Sequence, residues 1–290
     1  MTLAQNRAKS VPTNNVGIGL RAVHLKEILE NPQKIKKEIG WFEVHSENYY
    51  SKNNLAINAL INVRKDFPIS LHSVGNSLGS SSGVDLKHLK KLKTLIKIID
   101  PFLVSDHISW GKIEEIHLND LLPLPYTKAA LKVIQKNVSL MQDFLGREIL
   151  MENPSTYLAF KNADFSEVEF INELCKSTGC KLLLDVNNVF VSQKNNKEFD
   201  GKKYLAQLDK NIIGEIHLAG HSKSKIFDGK KLKEILIDTH NDKVCDEVWQ
   251  LYKIAARRFE KIPTLVEWDQ DFPPLKTLLG EAKKAREILE

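Results

Sequence analysis

The chain has 290 residues, 42% hydrophobic and 27% charged, a balance that excludes a disordered, collagen-like or disulfide-scaffold protein and allows a large core. Its 42 Lys and Arg against 37 Asp and Glu leave a formal charge of +5, which permits an acidic partner but is weaker than the concentrated basic stripe of a nucleic-acid binder. Three cysteines, Cys175, Cys180 and Cys245, are too few and too widely spaced for a disulfide framework or a thiolate metal site, and read as packing residues.

Residues 1–15 are polar, lack an apolar signal core and read as a flexible N-terminal tail. No run approaches the ~18 apolar residues of a membrane span, so the expectation is a cytoplasmic chain that engages neither membrane nor nucleic acid. Residues 16–290 read as one domain. Strands are expected over 16–21 (VGIGLR), 41–45 (WFEVH), 69–73 (ISLHS), 102–107 (FLVSDH), 148–153 (EILMEN), 181–186 (KLLLDV), 212–218 (IIGEIHL) and 264–268 (TLVEW). Most are near-continuous apolar runs, as expected of parallel strands covered by helices. Helical spacing appears over 86–99, 128–145, 168–177 and 246–259, with Gly146 and Gly179 as stops and Asp246 as an N-cap. Residues 79–83 (GSSSG) read as a mobile rim, and residues 193–203 and 222–233 as basic, solvated loops. Strands alternating with helices in this number predict an α/β fold, a single (β/α)8 TIM barrel. No G-x-G-x-x-G follows the first strand, which speaks against a dinucleotide-binding sheet.

The informative residues close the strands. His72 ends the third, Asp106 and His107 the fourth, Glu152 and Asn153 the fifth, Asp185 the sixth, followed by Asn187 and Asn188. His217 lies on the seventh, His221 follows it, and Glu267 lies on the eighth, with Asp238 and His240 between these two strands. Six of the nine histidines, His45, His72, His107, His217, His221 and His240, fall at strand ends or in the loops after them, where barrel enzymes carry their catalytic groups. His88, in a Lys-rich helix, reads as solvated.

Glu152, Asp185, Asp238 and Glu267 converging on one barrel end would repel one another unless protonated or bound to cations. With His72, His107, His217 and His240 they form a mixed imidazole and carboxylate set suited to zinc, manganese or iron. One metal does not need so many ligands; two or three, with a bridging carboxylate, fit better. Any one strand-end histidine is most simply a hydrogen-bonded structural residue, so the metal reading rests on the convergence. Asp269, two residues past Glu267, shares its face if the strand persists and is the candidate catalytic base or ligand-orienting group. His45 and His221 read as substrate contacts or tautomer-fixing partners. Asn153 and Asn187 read as substrate contacts, and Asp106 as structural.

The segments WFEVHSENYY, LHSVGNSLGS, LVSDHISW, HLNDLLPLPYT, ILMENPSTYL, LLLDVNNVFVS, EIHLAGH, LIDTH and PTLVEWD resemble the multinuclear non-haem iron-dependent oxidase family, which includes the methanobactin biosynthesis oxidase. The resemblance runs from about Val16 through almost the whole chain. It implies a xylose isomerase-like barrel holding two or three iron ions, dioxygen as cosubstrate, a cysteine-containing ribosomally synthesised precursor peptide as substrate, and a separate peptide-recognition partner protein. Carried over by residue, His72, His107 and Glu152 would hold one iron. Glu152 would bridge to a second, held also by Asp185, His217 and Glu267. Asp238, His240 and Asn188 would hold a third. In endonuclease IV-like relatives of the fold a histidine is expected where Asn188 stands, so the third position is the one most easily left empty. The alternatives are a zinc phosphodiesterase or endonuclease IV-like hydrolase, a sugar isomerase, and a non-catalytic peptide-binding barrel. Few arginines at the proposed mouth argue against the nuclease, and a surplus third metal position argues against the isomerase.

Overall fold

The eight apolar runs pair side by side, in chain order and in parallel, and the last closes onto the first. In a computed structural model that describes residue 12 and residues 14–290, except 52, 53, 114, 115, 159, 228, 230 and 231, the barrel strands are Val16–Gly19, Trp41–His45, Ile69–His72, Leu103–His107, Leu150–Glu152, Lys181–Asp185, Ile213–Leu218 and Thr264–Val266. This is the expected (β/α)8 barrel. The expected tail lies outside the described residues except for residues 12, 14 and 15. Asn14 and Asn15 are anchored: Asn14 Oδ1 accepts from the Val16 amide at 3.0 Å, and the Asn15 carbonyl accepts from the Thr264 amide at 2.7 Å.

Helices cover the outside because their apolar stripes need a partner. Leu89, Leu92 and Leu95 of Leu86–Ile99, Ile134, Val138 and Met141 of Lys128–Leu145, and Phe170, Ile171 and Leu174 of Glu167–Thr178 are all buried. Each fully buried side chain of this size stabilises by roughly 1.5–3 kcal/mol. Helix ends follow local chemistry. Thr127 caps Lys128–Leu145, Ser166 and Glu169 make a reciprocal capping box, and Gly146 and Gly179 terminate their helices in the left-handed region. Asp246 differs from expectation: it is the first helical residue, and Cys245 occupies the cap position without a side-chain bond. Cys175 and Cys180 are buried free thiols. No helix among the described residues is long and apolar enough to cross a membrane.

Several segments depart from the sequence reading. Two antiparallel hairpins leave the barrel, Trp110–Ile113 with Ile116–Leu122 after the fourth strand, and Ser222–Phe227 with Leu232–Ile237 after the seventh. The second occupies most of the expected basic loop 222–233. Residues 193–203 are also not one loop, since they hold the end of helix Val186–Asn195 and the start of Gly201–Gln207. Residues 79–83 are tied down at their start: the Gly79 amide donates to the Ser109 carbonyl at 2.9 Å, and Asn137 Nδ2 donates to the Ser80 carbonyl at 2.9 Å. His88 is half-buried, with Nε2 3.2 Å from Glu47 Oε1 and its ring edge-on to Tyr50.

Gly220 lets two site-bearing segments meet. A Cβ there would lie 2.1 Å from the Asp242 carbonyl oxygen, a backbone atom just after His240. Gly220→Ala is therefore expected to lower unfolding stability by about 1–3 kcal/mol, the range for overpacking, as measured by urea denaturation.

Candidate metal centre

Strand register assembles the site. In the parallel ladder His45 lies beside His72, His107 beside Glu152, and Asp185 beside His217. Asp185 also begins the next helix: its Oδ1 accepts from the Asn188 amide, which leaves Oδ2 facing inward with no donor.

His107 reveals what the site lacks. Its Nδ1 lies 3.2 Å from the Ser73 carbonyl oxygen, which can only accept, so Nδ1 carries the proton and Nε2 presents a bare lone pair. That lone pair faces Glu152 Oε2 at 3.2 Å. His72 Nε2 lies 3.2 Å from the same oxygen, with its Nδ1 2.7 Å from Ser105 Oγ. Burial holds His107 down to about 4. Burial, helped by His107, holds His72 well below the usual range. Both rings are therefore neutral near pH 7. Glu152 Oε2 is buried and receives no hydrogen bond. Acceptor atoms aimed at one another repel until a cation or a proton enters, and two imidazoles with a carboxylate are good ligands for a divalent transition metal.

Two further groups adjoin this one. Glu152, Asp185 and His217 each bring a ligand atom within 4.8 Å of the others, and so do Asp185, His240 and Glu267. His217 Nδ1 and His240 Nδ1 lie 3.0 and 3.4 Å from Glu267 Oε2. His240 Nε2 is 2.7 Å from Asp238 Oδ1 but lacks the alignment of a hydrogen bond. His240 also holds a left-handed backbone, φ 47°, a strain of about 1–3 kcal/mol that its surroundings must offset. Asn188 turns Nδ2 to Glu152 Oε1 at 3.3 Å and to the Asn153 carbonyl at 3.0 Å, while its Oδ1 is buried without a donor. The orphaned atoms of Glu152, Asp185, Asn188 and His240, with the His217 ring beside Glu267, are a donor set that fits a multinuclear metal centre.

The remaining predicted residues surround this set. Asp269 is engaged at both oxygens, Oδ1 by Arg21 and Oδ2 by His240 Nδ1 at 3.1 Å, so its placement suits orienting His240 better than abstracting a proton. His45 faces Glu267 Oε1 at 3.8 Å and Asp269 Oδ1 at 3.7 Å. Burial lowers its affinity for a proton, but the Glu267 and Asp269 carboxylates outweigh that and raise its pKa. Asn153 is not placed as a substrate contact. Its amide nitrogen donates to the Asp185 carbonyl at 3.1 Å and its oxygen accepts from the Asp185 amide at 2.8 Å, so it locks the end of that strand. Asn187 is buried likewise, donating to Asp238 Oδ1 at 2.7 Å, with its oxygen 2.8 Å from His221 Nδ1. Asp106 accepts from Asn76 Nδ2 at 2.6 Å, away from the ligands.

Sequence reasoning passed over Ser105, Arg21, Tyr157 and Glu215 and gave Glu43 no role. Ser105 and Glu215 each stand two residues before a proposed ligand and share its strand face, which is the signal that would have found them. The Tyr157 hydroxyl accepts from the Asp238 amide at 2.9 Å. The centre opens into a cavity of about 280 Å³ whose wall includes His45, Val74, Leu121, Pro154, Tyr157 and Asp269.

A profile of the RiPP precursor modification enzymes MbnB/TglH/ChrH matches residues 15–290. The chain belongs to this family. A UPF0276 protein of Vibrio parahaemolyticus is 45% identical over 274 residues, covering 94% of this chain and 92% of the relative. One from Chromobacterium violaceum is 45% identical over 273 residues, covering 94% of each. Among solved structures, endonuclease IV from Thermus thermophilus superposes with a TM-score of 0.58 at 12% identity, covering 94% of this chain and 98% of that one. D-psicose 3-epimerase from Clostridium cellulolyticum gives 0.58 at 11% identity, with 94% and 96% covered. At such identities these two show the fold alone. Family membership and the clustered ligands together make the protein a metal-dependent oxidoreductase of the precursor-modifying class.

The carboxyl groups predict a pH response. Burial raises Asp185 from 3.8 to about 7, and Glu215 from 4.5 to about 8. Between the ordinary and raised values the folded chain binds protons that the unfolded chain has released, so these groups stabilise at low pH and lose that contribution as pH rises. His72 and His107, whose pKa values are lowered, act in the opposite sense below 6.5. The thermal midpoint of metal-free protein is expected to fall between about pH 6.5 and 8, and added metal is expected to lessen the fall by removing the contribution of Asp185, the one proposed ligand of the two. Calorimetry at the two pH values, with and without metal, checks both.

Proposed function

We propose that this protein uses two or three iron ions and dioxygen to oxidise a cysteine of a ribosomally synthesised precursor peptide. The observation that carries the metal reading is the bare lone pair of His107 aimed at the donorless Glu152 oxygen, with His72 Nε2 3.2 Å from the same oxygen, joined through Glu152 to Asp185 and His217. In this reading His72, His107 and Glu152 hold one ion, and Glu152, Asp185, His217 and Glu267 a second. Asp238, His240 and Asn188 serve a third. His240 also lies within reach of Asp185 and Glu267, so these residues would serve neighbouring positions.

Iron bound there supplies the redox capacity to reduce dioxygen, and a site where a substrate thiol is held as thiolate. The protein's own groups do the rest. The Ser73 carbonyl and Ser105 Oγ fix the orientations of His107 and His72. Arg21 holds Asp269, which orients His240. His45 faces the cavity beside Glu267 and Asp269, whose carboxylates raise its pKa, and is placed to exchange a proton with a bound substrate. Val74, Leu121 and Pro154 supply apolar wall that limits water. A separate peptide-recognition protein completes the reading, and three free cysteines accord with a cytoplasmic setting.

Protein isolated without chelator is expected to carry two or three irons per chain. Mössbauer and EPR spectra before and after oxygen and reductant should show coupled, mixed-valent signals. Redox-silent zinc that iron cannot functionally replace would overturn the proposal. Ser105→Ala, which frees the His72 ring, is expected to weaken iron binding at the first position about 10–100-fold, read by chelator competition.

A further inference from the structure

Two carboxyl groups beneath the cavity belong to none of the proposed iron sites. Glu43 and Glu215 stand two residues before His45 and His217, so they point to the same strand faces. Glu215 is fully buried, and neither of its oxygens meets a donor. Its Oε1 lies 3.5 Å from His217 Nε2, and Glu43 Oε1 lies 3.4 Å from the same nitrogen, which has no hydrogen-bond partner of its own. The second Glu43 oxygen is already used, accepting from Ser70 Oγ at 2.9 Å. The opposite ring nitrogen, Nδ1, lies 3.0 Å from Glu267 Oε2.

The His217 ring thus stands between two different environments. On the Nδ1 side is Glu267, a proposed metal ligand, and on the Nε2 side are the nearest carboxyl oxygens of Glu43 and Glu215. A neutral imidazole that gives one nitrogen to a metal carries its proton on the other, and a buried N–H needs an acceptor. The Nε2 distances lie just beyond the ~2.7–3.2 Å of a good hydrogen bond, and a small rotation of the ring toward a metal on the Nδ1 side would redistribute them.

We infer that Glu215, assisted by Glu43, is a positioning residue that accepts the Nε2 proton of His217 and thereby fixes Nδ1 as the metal ligand. The inference rests on the reading of His217 as a ligand. It also gives a reason for the burial of a carboxyl group that nothing else satisfies, since replacing such a group by an apolar one of similar size is commonly neutral or stabilising.

Glu215→Leu and Glu215→Gln separate this role from packing. In E215L, one metal is expected to bind about 10–100-fold more weakly, by chelator competition with iron(II), while the thermal midpoint of the metal-free protein stays level or rises. E215Q keeps an acceptor oxygen and is expected to recover most of the affinity. A measurement on the intact chain covers the case in which E215L does not fold. 15N-histidine NMR of zinc-loaded wild type, assigned by loss of the signal in H217Q, is expected to show Nε2 protonated and Nδ1 metal-bound. The reverse tautomer overturns the inference, and so does an E215L protein with wild-type affinity or with a lowered metal-free midpoint. Wild type that takes up no metal overturns the ligand reading as well. Wild type and E215L that take up metal equally overturn this inference alone.

Discussion

Two acceptor atoms aimed at each other, the bare Nε2 of His107 and the donorless Oε2 of Glu152, with the His72 ring against the same oxygen, are the constraint on which the rest of the molecule depends. His72, His107 and Glu152 are all buried or nearly so, and the hydrogen bond from His107 to the Ser73 carbonyl leaves its Nε2 bare. Such an arrangement is repulsive without positive charge, and flexible loops would relax it. It persists because each member sits at the end of a barrel strand whose register is set by its neighbours. The serine hydroxyl and the carbonyl behind the rings belong to the same strand ends, so the scaffold that closes the barrel also orients the ligands.

The same economy recurs around the centre. Asp185 caps a helix with one oxygen and faces the centre with the other, and Asn153 grips its backbone from the adjacent strand. Asp238 is held by Asn187 and the Tyr157 hydroxyl, and Asn187 in turn meets His221. Side chains that resemble substrate contacts in the sequence are mostly spent on orienting ligands. That leaves His45 and the cavity wall to meet the peptide, with two hairpins standing beside the barrel. The hairpins expose Ile116, Phe227 and Leu232, apolar groups that the barrel itself does not need.

Misreadings of the sequence have physical causes. The hairpin Ser222–Phe227 with Leu232–Ile237 carries lysines and is exposed over most of its length. It lacks the one-sided apolar alternation by which strands are recognised, and only cross-strand pairing defines it. Val186, placed at the end of the sixth strand in the sequence, instead opens helix Val186–Asn195, although its β-branched side chain prefers strands. The Asp185 cap and burial of the whole first turn override that preference. The lysine neighbours of His88 suggest a solvated ring, whereas its partner Glu47 is 41 residues away in the chain.

The barrel strands and the metal-ligand types were legible without coordinates, because near-continuous apolar runs ending in His, Asp or Glu leave few other arrangements that bury the former and gather the latter. Convergence of carboxylates was also legible as a demand for cations, since charge repulsion follows from number and proximity alone. What only the tertiary structure decided is how the atoms are shared. It set which imidazole nitrogen is bare, that His240 lies with Asp185 and Glu267 as well as Asp238, that Asp269 is held by Arg21, and that Glu43 and Glu215 stand behind His217. Hydrogen-bond direction depends on partners brought together from distant strands. Periodicity along one strand indicates the face on which a side chain lies, but not the atom it will meet there.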